Sequence, residues 1–334
     1  MAEPKFDVLG IGNAIVDVIA TAEEDFLVRE GLIKGSMRLI ETDEAERLYG
    51  AMGQAVQTSG GCAGNTAAGV ASFGGRAAFI GKVADDGLGR VYRHDMHALG
   101  IDFETKPLIG GEPTARSMIL ITPDGERTMN TYLGAAQLLS PDDIDEAAVG
   151  AARITYLEGY LWDRPQAKAA FRKAAKVAHA AGRKVSLTLS DSFCVDRFRD
   201  EFLGLIRDGS VDVLFANLAE LHALYQTADL DTAISALRAD ARIAAVTAGA
   251  DGAFVISREN VEVVPAYPVE RIVDTTGAGD LFAAGFLYGL AHGTPLATAA
   301  KLGHLAAGEV IGHIGPRPAV SLKGLAQQAG LHIE

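Results

Sequence analysis

Between Ile154 and Ile256 the chain switches repeatedly between short apolar runs and longer helix-forming ones. Ile154–Leu157, Val185–Leu189, Val211–Phe215 and Ala244–Thr247 read as strands, with an Ala/Lys-rich helix over Gln166–Ala181 and another from about Leu218 to Tyr225. Ala253–Ile256 adds a strand after the Gly249–Gly252 turn. Strands alternating with helices imply an α/β fold, a parallel sheet covered on both faces. Phe6–Ile11, which breaks at Gly12-Asn13, and Ala77–Ile80, which follows the small-residue helix candidate Gly61–Gly74, read as further strands.

The remaining N-terminal segments do not fit that scheme. Val16–Ala20 and Met37–Ile40 read as short strands, and Ser117–Thr122 and Arg127–Tyr132 flank Pro123-Asp124-Gly125, a hairpin signal. The expectation is a large domain from 1–12, 43–101 and 134–334, and a small discontinuous β layer from 13–42 and 102–133. A chain of 334 residues is long enough for one large domain with such an appendage.

Charge and cysteine content narrow the function classes. A formal net charge of −13 argues against binding nucleic acid or an anionic membrane. Cys62 and Cys194 are too few for a disulfide framework or a zinc site. No apolar run approaches the roughly 20 residues of a membrane helix, and Met-Ala-Glu-Pro-Lys is not a signal-peptide start, so a cytoplasmic location is expected.

The chemistry concentrates at Val273-Asp-Thr-Thr-Gly-Ala-Gly-Asp280, followed by the apolar run Leu281–Gly285. Gly277 and Gly279 let the backbone approach a ligand closely, and free amides at a helix start attract anions. Asp280 in that first turn is placed to take a proton from a hydroxyl aimed at the anion. Anion hole and base together suggest phosphoryl transfer. Two familiar phosphate motifs fail. After Gly10-Ile-Gly12, the third glycine of a dinucleotide fingerprint falls on Ile15; before Gly81-Lys82, a P-loop needs glycine where Arg76 stands.

Asn13 and Asp17 near the end of the first strand, with Gly61 and Asn65 in Gly60-Gly-Cys-Ala-Gly-Asn65, suit a polyol. A carboxylate accepts from two adjacent hydroxyls, and an amide both donates and accepts. Each residue alone also fits a turn or cap.

These segments resemble the ribokinase, or PfkB, family of carbohydrate and nucleoside kinases. Asp274–Asp280 is similar to that family's C-terminal signature, Gly60–Asn65 and Gly81–Gly87 to its N-terminal glycine signature, and Asn217-Leu-Ala-Glu220 to its N-x-x-E motif. Glu126–Ala136, Phe215-Ala-Asn217 and Gly303-His-Leu-Ala-Ala307 look closest to the adenosine kinase branch. The resemblance implies a ribokinase-like three-layer domain with a mostly parallel central sheet and a small β-sheet lid. It implies ATP and Mg²⁺ as cofactors, Asp280 as general base, and an anion hole from the amides of Gly277, Ala278 and Gly279. Arg127 would face the phosphates, and Glu220 would reach magnesium through water beside Asn217. Asp274 and Thr276 match positions that bind a monovalent cation such as K⁺ in many relatives, with further oxygens from Ile311–Gly315.

Thr247, Gly249, Gly252, Thr276 and His304 are expected on the nucleotide side, and Asp191 and Cys194 beyond a strand could line it. Tyr160 and Trp162 follow the strand Ile154–Leu157, where an aromatic face could stack on a base or simply pack. Cys62 has no paired base, which speaks against a thiol nucleophile. The leading function is an ATP-dependent nucleoside kinase acting on a ribose 5′-hydroxyl, with adenosine as acceptor. A sugar kinase acting on ribose or fructose, and a catalytically silent sugar- or nucleotide-binding sensor, are the alternatives. The protein is expected to act as a monomer or homodimer on its small-molecule substrates.

Overall fold

The structure, a computed structural model, describes residues 3–331. Thirteen strands form two sheets among these residues: β1 Phe6–Ile11, β2 Ile15–Thr21, β3 Met37–Leu39, β4 Val56–Ser59, β5 Ala77–Ile80, β6 Ala115–Ile121, β7 Arg127–Tyr132, β8 Ala152–Glu158, β9 Lys184–Thr188, β10 Val213–Asn217, β11 Ile243–Thr247, β12 Ala253–Ser257 and β13 Val261–Val264. The large sheet has the order β13-β12-β11-β10-β9-β8-β1-β5, parallel from β5 to β11 and antiparallel at β12 and β13.

Its strands are apolar on both faces because helices cover both. Val8, Ile154, Tyr156, Val213 and Phe215 pack under the helices Cys62–Ser72, Ala278–Ala291 and Leu296–Val310. Leu9, Ile11, Leu157, Leu187 and Leu214 face the opposite layer, which holds Pro165–Ala180, Ser192–Arg207 and Leu230–Asp240. Consecutive side chains on a strand point to opposite faces, so Val8 and Leu9 belong to different cores. After β1 the chain builds β5 on one side and then returns to build β8 on the other. Such a change of direction opens a crevice at the carboxyl ends of the strands.

The small sheet has the order β3-β7-β6-β2-β4. Met118 and Leu120 on β6, with Ala20 and Tyr132, pack against Leu27, Ala45 and Leu48 of the short helices Glu24–Arg29 and Thr42–Ala51. The alternate residues, Ser117 and Ile119, face the crevice instead. The edge strand β4, antiparallel to β2, was not legible as a strand, because Val-Gln-Thr-Ser carries only one apolar residue; with the helix Thr42–Ala51 it places part of 43–101, expected in the large domain, on the small sheet instead.

Candidate active site

The crevice and the small sheet enclose a cavity of about 640 Å³, and four helix starts line it, those of Cys62–Ser72, Ser192–Arg207, Leu218–Tyr225 and Ala278–Ala291. Gly277 caps Ala278–Ala291 in the left-handed region, at φ 80°; a Cβ there would stand 2.7 Å from the Pro316 carbonyl oxygen, so only glycine makes this turn without strain. Among the described residues nothing accepts from the amides of Gly277 and Gly279, whereas the Ala278 amide donates back to the Thr275 carbonyl at 3.2 Å. Two of the three amides expected to form the anion hole are therefore unengaged, at the positive end of a 14-residue helix.

Asp280 lies one residue further on and lines the cavity. Its Oδ2 accepts from Asn65 Nδ2 at 3.0 Å. Burial pushes the Asp280 carboxyl up to about 7; the Asn65 bond opposes this, and the Glu158 and Asp17 carboxylates reinforce it. A carboxyl tuned to that range can both accept and release a proton near neutral pH.

Asn13, Asp17, Gly61, Asn65 and Tyr160 all line the same cavity, as their sequence positions suggested. Asp17 is buried and its carboxylate has no hydrogen-bond partner among the described residues, which leaves its oxygens for a ligand's hydroxyls. Burial raises it to about 6, with Arg317 and Arg127 pulling the other way. Gly61, at φ 84°, lets the chain pass so close to the Asn13 carbonyl that a Cβ would collide with it.

Of the residues expected on a nucleotide side, Asn217, Glu220, Thr247 and Thr276 reach the cavity. Asn217 and Glu220 form a reciprocal capping box at the start of Leu218–Tyr225. The carboxylate accepts from Asn217 N at 3.1 Å on one oxygen and from Asn217 Nδ2 at 2.7 Å on the other. Each oxygen keeps a lone pair for a bridging water, so this pair fits a water-mediated magnesium ion. Burial, with Asp191 nearby, raises Glu220 to about 7.

Arg127, expected to face the phosphates, does not line the cavity; it reaches from the start of β7 across to the loop Asp274–Asp280. Its Nη1 bonds Asp274, and also Thr276 Oγ1 at 3.2 Å, while its Nε and Nη2 are buried without a partner. The other Asp274 contacts are also donors: Thr276 N at 3.0 Å, Thr276 Oγ1 at 2.7 Å and Gly315 N at 3.0 Å. The loop Ile311–Gly315 does pack here, through Val273 N to Ile311 O at 2.8 Å. This donor set does not suit a monovalent cation, because a guanidinium and three other donors already satisfy the carboxylate. No step of the reaction is assigned to such an ion.

Several expected residues lie elsewhere. Trp162 is fully buried beside Phe171 and Phe202, with its indole N–H donating to Glu201 at 3.1 Å, so it packs the core and cannot stack on a ligand. Trp162→Phe should lower stability by roughly 1–2 kcal/mol through lost volume and one lost hydrogen bond, with an unchanged acceptor KM; thermal melts and initial rates would check both. Gly249 and Gly252 bracket a tight turn away from the cavity wall. His304 is buried edge-on to Phe282, its Nε2 unpartnered and its pKa lowered by burial, and it does not reach the cavity. Asp191 caps Ser192–Arg207 and the Cys194 thiol donates to the Gly159 carbonyl; both line the cavity. Burial and the Asp280 charge raise the Cys62 thiol well above its ordinary value, which makes it a poor nucleophile.

Two residues were missed. Glu158, buried at the end of β8, accepts from Asn13 Nδ2 at 2.8 Å, Asn13 N at 3.3 Å and Ala63 N at 3.0 Å, so it ties the end of β1 to the start of Cys62–Ser72. A carboxylate directly after the apolar end of the strand, Tyr156-Leu157, was the signal for it. Arg317, behind Asn65, follows Gly315-Pro316 in a stretch that offered none.

The profile of the pfkB family of carbohydrate kinases matches residues 28–322. The structure superposes on the adenosine kinase from Sinorhizobium meliloti with a TM-score of 0.90 at 58% sequence identity, covering 97% of this chain and 99% of that one. A probable sugar kinase from Rhizobium etli CFN 42 gives a TM-score of 0.92 at 53% identity, over 98% and 100% of the two chains. The ATP-dependent ribose-1-phosphate kinase of Halopiger xanaduensis is 35% identical over 237 residues, 69% of this chain and 73% of its own. The ribokinase-like fold, with its large mostly parallel sheet and second small sheet, is shared with these structures.

Proposed function

The chain belongs to the pfkB family of carbohydrate kinases, phosphotransferases that act on a hydroxyl group, and on that premise we propose that it transfers the γ-phosphoryl group of ATP to the 5′-hydroxyl of a nucleoside, adenosine first among them. The observation that carries the nucleoside reading is the wall opposite the polar floor. Met37, Leu39, Ile119, Met129 and Leu133, from the small sheet and its margin, face the cavity above Asn13 and Asp17. A ribose would engage the floor, and an apolar wall of that extent suits a flat base rather than a free sugar. The 58% identity to an adenosine kinase supports the same reading.

In this proposal Asp17 and Asn13 hold the ribose hydroxyls and thereby aim the 5′-hydroxyl at Asp280. Asp280 takes its proton as the hydroxyl oxygen bonds to the γ-phosphorus and the bond from that phosphorus to the bridging oxygen breaks, releasing ADP. The charge on the transferring group is spread over its oxygens, so preorganised donors supply most of the catalysis. Those donors are the unengaged amides of Gly277 and Gly279, and Arg127, seated on Asp274 and Thr276 beside that turn, would add its positive charge. Asn217 and Glu220 would hold Mg²⁺ through water, and the ion would supply neutralisation of the polyphosphate.

A sugar kinase is the second reading. Glu158, Asn13 and Asp17 form a polar floor that a free sugar could occupy equally well, and the relative from Halopiger xanaduensis is named for a phosphorylated ribose. ADP release with Mg-ATP across adenosine, inosine, guanosine, cytidine, ribose and fructose decides between them. Adenosine should be turned over with the highest kcat/KM. A higher value for ribose or fructose would make the protein a sugar kinase, and no ADP with any acceptor would favour the silent sensor.

A further inference from the structure

Arg317 stands behind the cavity wall rather than in it. Its Nε donates to Asn65 Oδ1 at 3.3 Å, and Asn65 Nδ2 donates to Asp280 Oδ2 at 3.0 Å. A carboxamide has one accepting and one donating end, so a guanidinium against Oδ1 turns Nδ2 toward Asp280. Asn65 is only 5% exposed and has little water to satisfy a flipped amide. The guanidinium is seated by its surroundings: Nη2 lies 3.8 Å from Met96 Sδ. Gly64 leaves the room, since a Cβ there would meet Tyr92 Oη at 2.8 Å and approach Arg317 Nη2 at 3.7 Å.

We propose that Arg317 is a positioning residue for phosphoryl transfer, holding through Asn65 the hydrogen bond that orients Asp280 toward the acceptor hydroxyl. This rests on Asp280 being the general base. The charges around the chain of contacts give it a second consequence. Asp280 is faced by Cys62 from its helix start, by Tyr156 and Glu158 from β8 and by Asp17 from β2, all neutral or acidic. Arg317 is faced by Tyr92 and Asp95 from the helix Gly87–Ala98, by Asp17 and by Asp280. It is thus a buried cation among carboxylates, two of which, Asp17 and Asp280, are pushed by burial toward their protonated forms. Removing it leaves Asp280 protonated to higher pH.

The test is the pH profile of kcat/KM, measured with whichever acceptor of the panel above is turned over fastest. Arg317→Gln should lower kcat/KM about 10- to 100-fold at pH 7 and move the acid limb up by about one pH unit, so that part of the activity returns at pH 8.5. Arg317→Lys keeps the charge without the planar fork, and should lose rate while its limb stays near wild type. Should Arg317→Gln not fold, Asn65→Ala cuts the same chain at its next link and must also raise the limb. An acid limb that coincides with wild type in every folded member of Arg317→Gln and Asn65→Ala overturns the proposal. Asp280→Asn, run alongside, separates the two failures: turnover retained there removes the base itself, whereas an inactive Asp280→Asn with an unmoved Arg317→Gln limb removes only the positioning role.

Discussion

Replacing Asp280 by Asn should lower kcat by about 10²- to 10⁴-fold, the range expected when a general base is removed. Asn is nearly isosteric and can still accept from Asn65 Nδ2, so the fold should persist and acceptor KM should change little. The base works as the carboxylate, and burial raises it to about 7. Wild-type kcat/KM should therefore fall as pH drops below about 7 and level off above it. Stability runs the other way. A carboxyl raised from 3.8 binds its proton more tightly folded than unfolded, so its contribution is fully present below pH 4 and is lost as pH rises through about 7. Asp280→Asn should consequently melt at a higher temperature than wild type at pH 8, with the difference gone at pH 4. Near-normal turnover in the variant would remove Asp280 as the base. A melting temperature lower than wild type at pH 8 would mean that the carboxylate is a net structural asset.

The Arg127→Ala variant should lose about 10²- to 10³-fold in kcat, comparable to the loss of one transition-state donor. Arg127 fixes two things at once. Through Nη1 it ties the β6–β7 hairpin of the small sheet to Asp274 and Thr276, and through Nε and Nη2 it offers two buried donors beside the anion-hole turn. Lysine has no planar fork and cannot serve both, so Arg127→Lys should recover only a small part of the loss. On the proposed reading, in which the hairpin anchor is also a phosphate donor, the KM for ATP and kcat should both move. Single-turnover rates separate chemistry from closure: a chemical step at the wild-type rate, with only a lower melting temperature, would leave Arg127 as a structural tie alone.

The large sheet was legible because buried parallel strands are continuous apolar runs. Every such run, from Phe6–Ile11 to Ala244–Thr247, became a parallel strand of it; Ala253–Ile256 became an antiparallel one, and the edge strand β13, Val-Glu-Val-Val, was missed. The small sheet was legible where turn chemistry marked it, at Pro123-Asp124-Gly125, and invisible at Val56–Ser59, an edge strand with one apolar residue. Site residues divide in the same way. Asp280, Asn13 and Asn65 sit at a strand end and helix starts whose local sequence announces them, whereas Asp17 stands inside β2 as an acid in an apolar strand. Tyr160 and Trp162 could not be told apart, two positions away from each other on one turn. Tyr160 reaches the cavity, while the indole of Trp162 is enclosed by Phe171 and Phe202.

The sequence by itself determined the layered α/β architecture and the reaction class, and it singled out the turn that ends at Asp280. These depend on local backbone requirements: a left-handed glycine before a helix, free amides at its start and a carboxylate in its first turn. Tertiary structure alone decided what surrounds them. It brought Arg127 onto Asp274 across 147 positions of chain, Arg317 behind Asn65 across 252, and Glu158 against Asn13 across 145. Burial and charge partners set how strongly Asp280, Asp17 and Glu220 hold their protons, and both are properties of assembled neighbours. Local sequence spacing encodes neither.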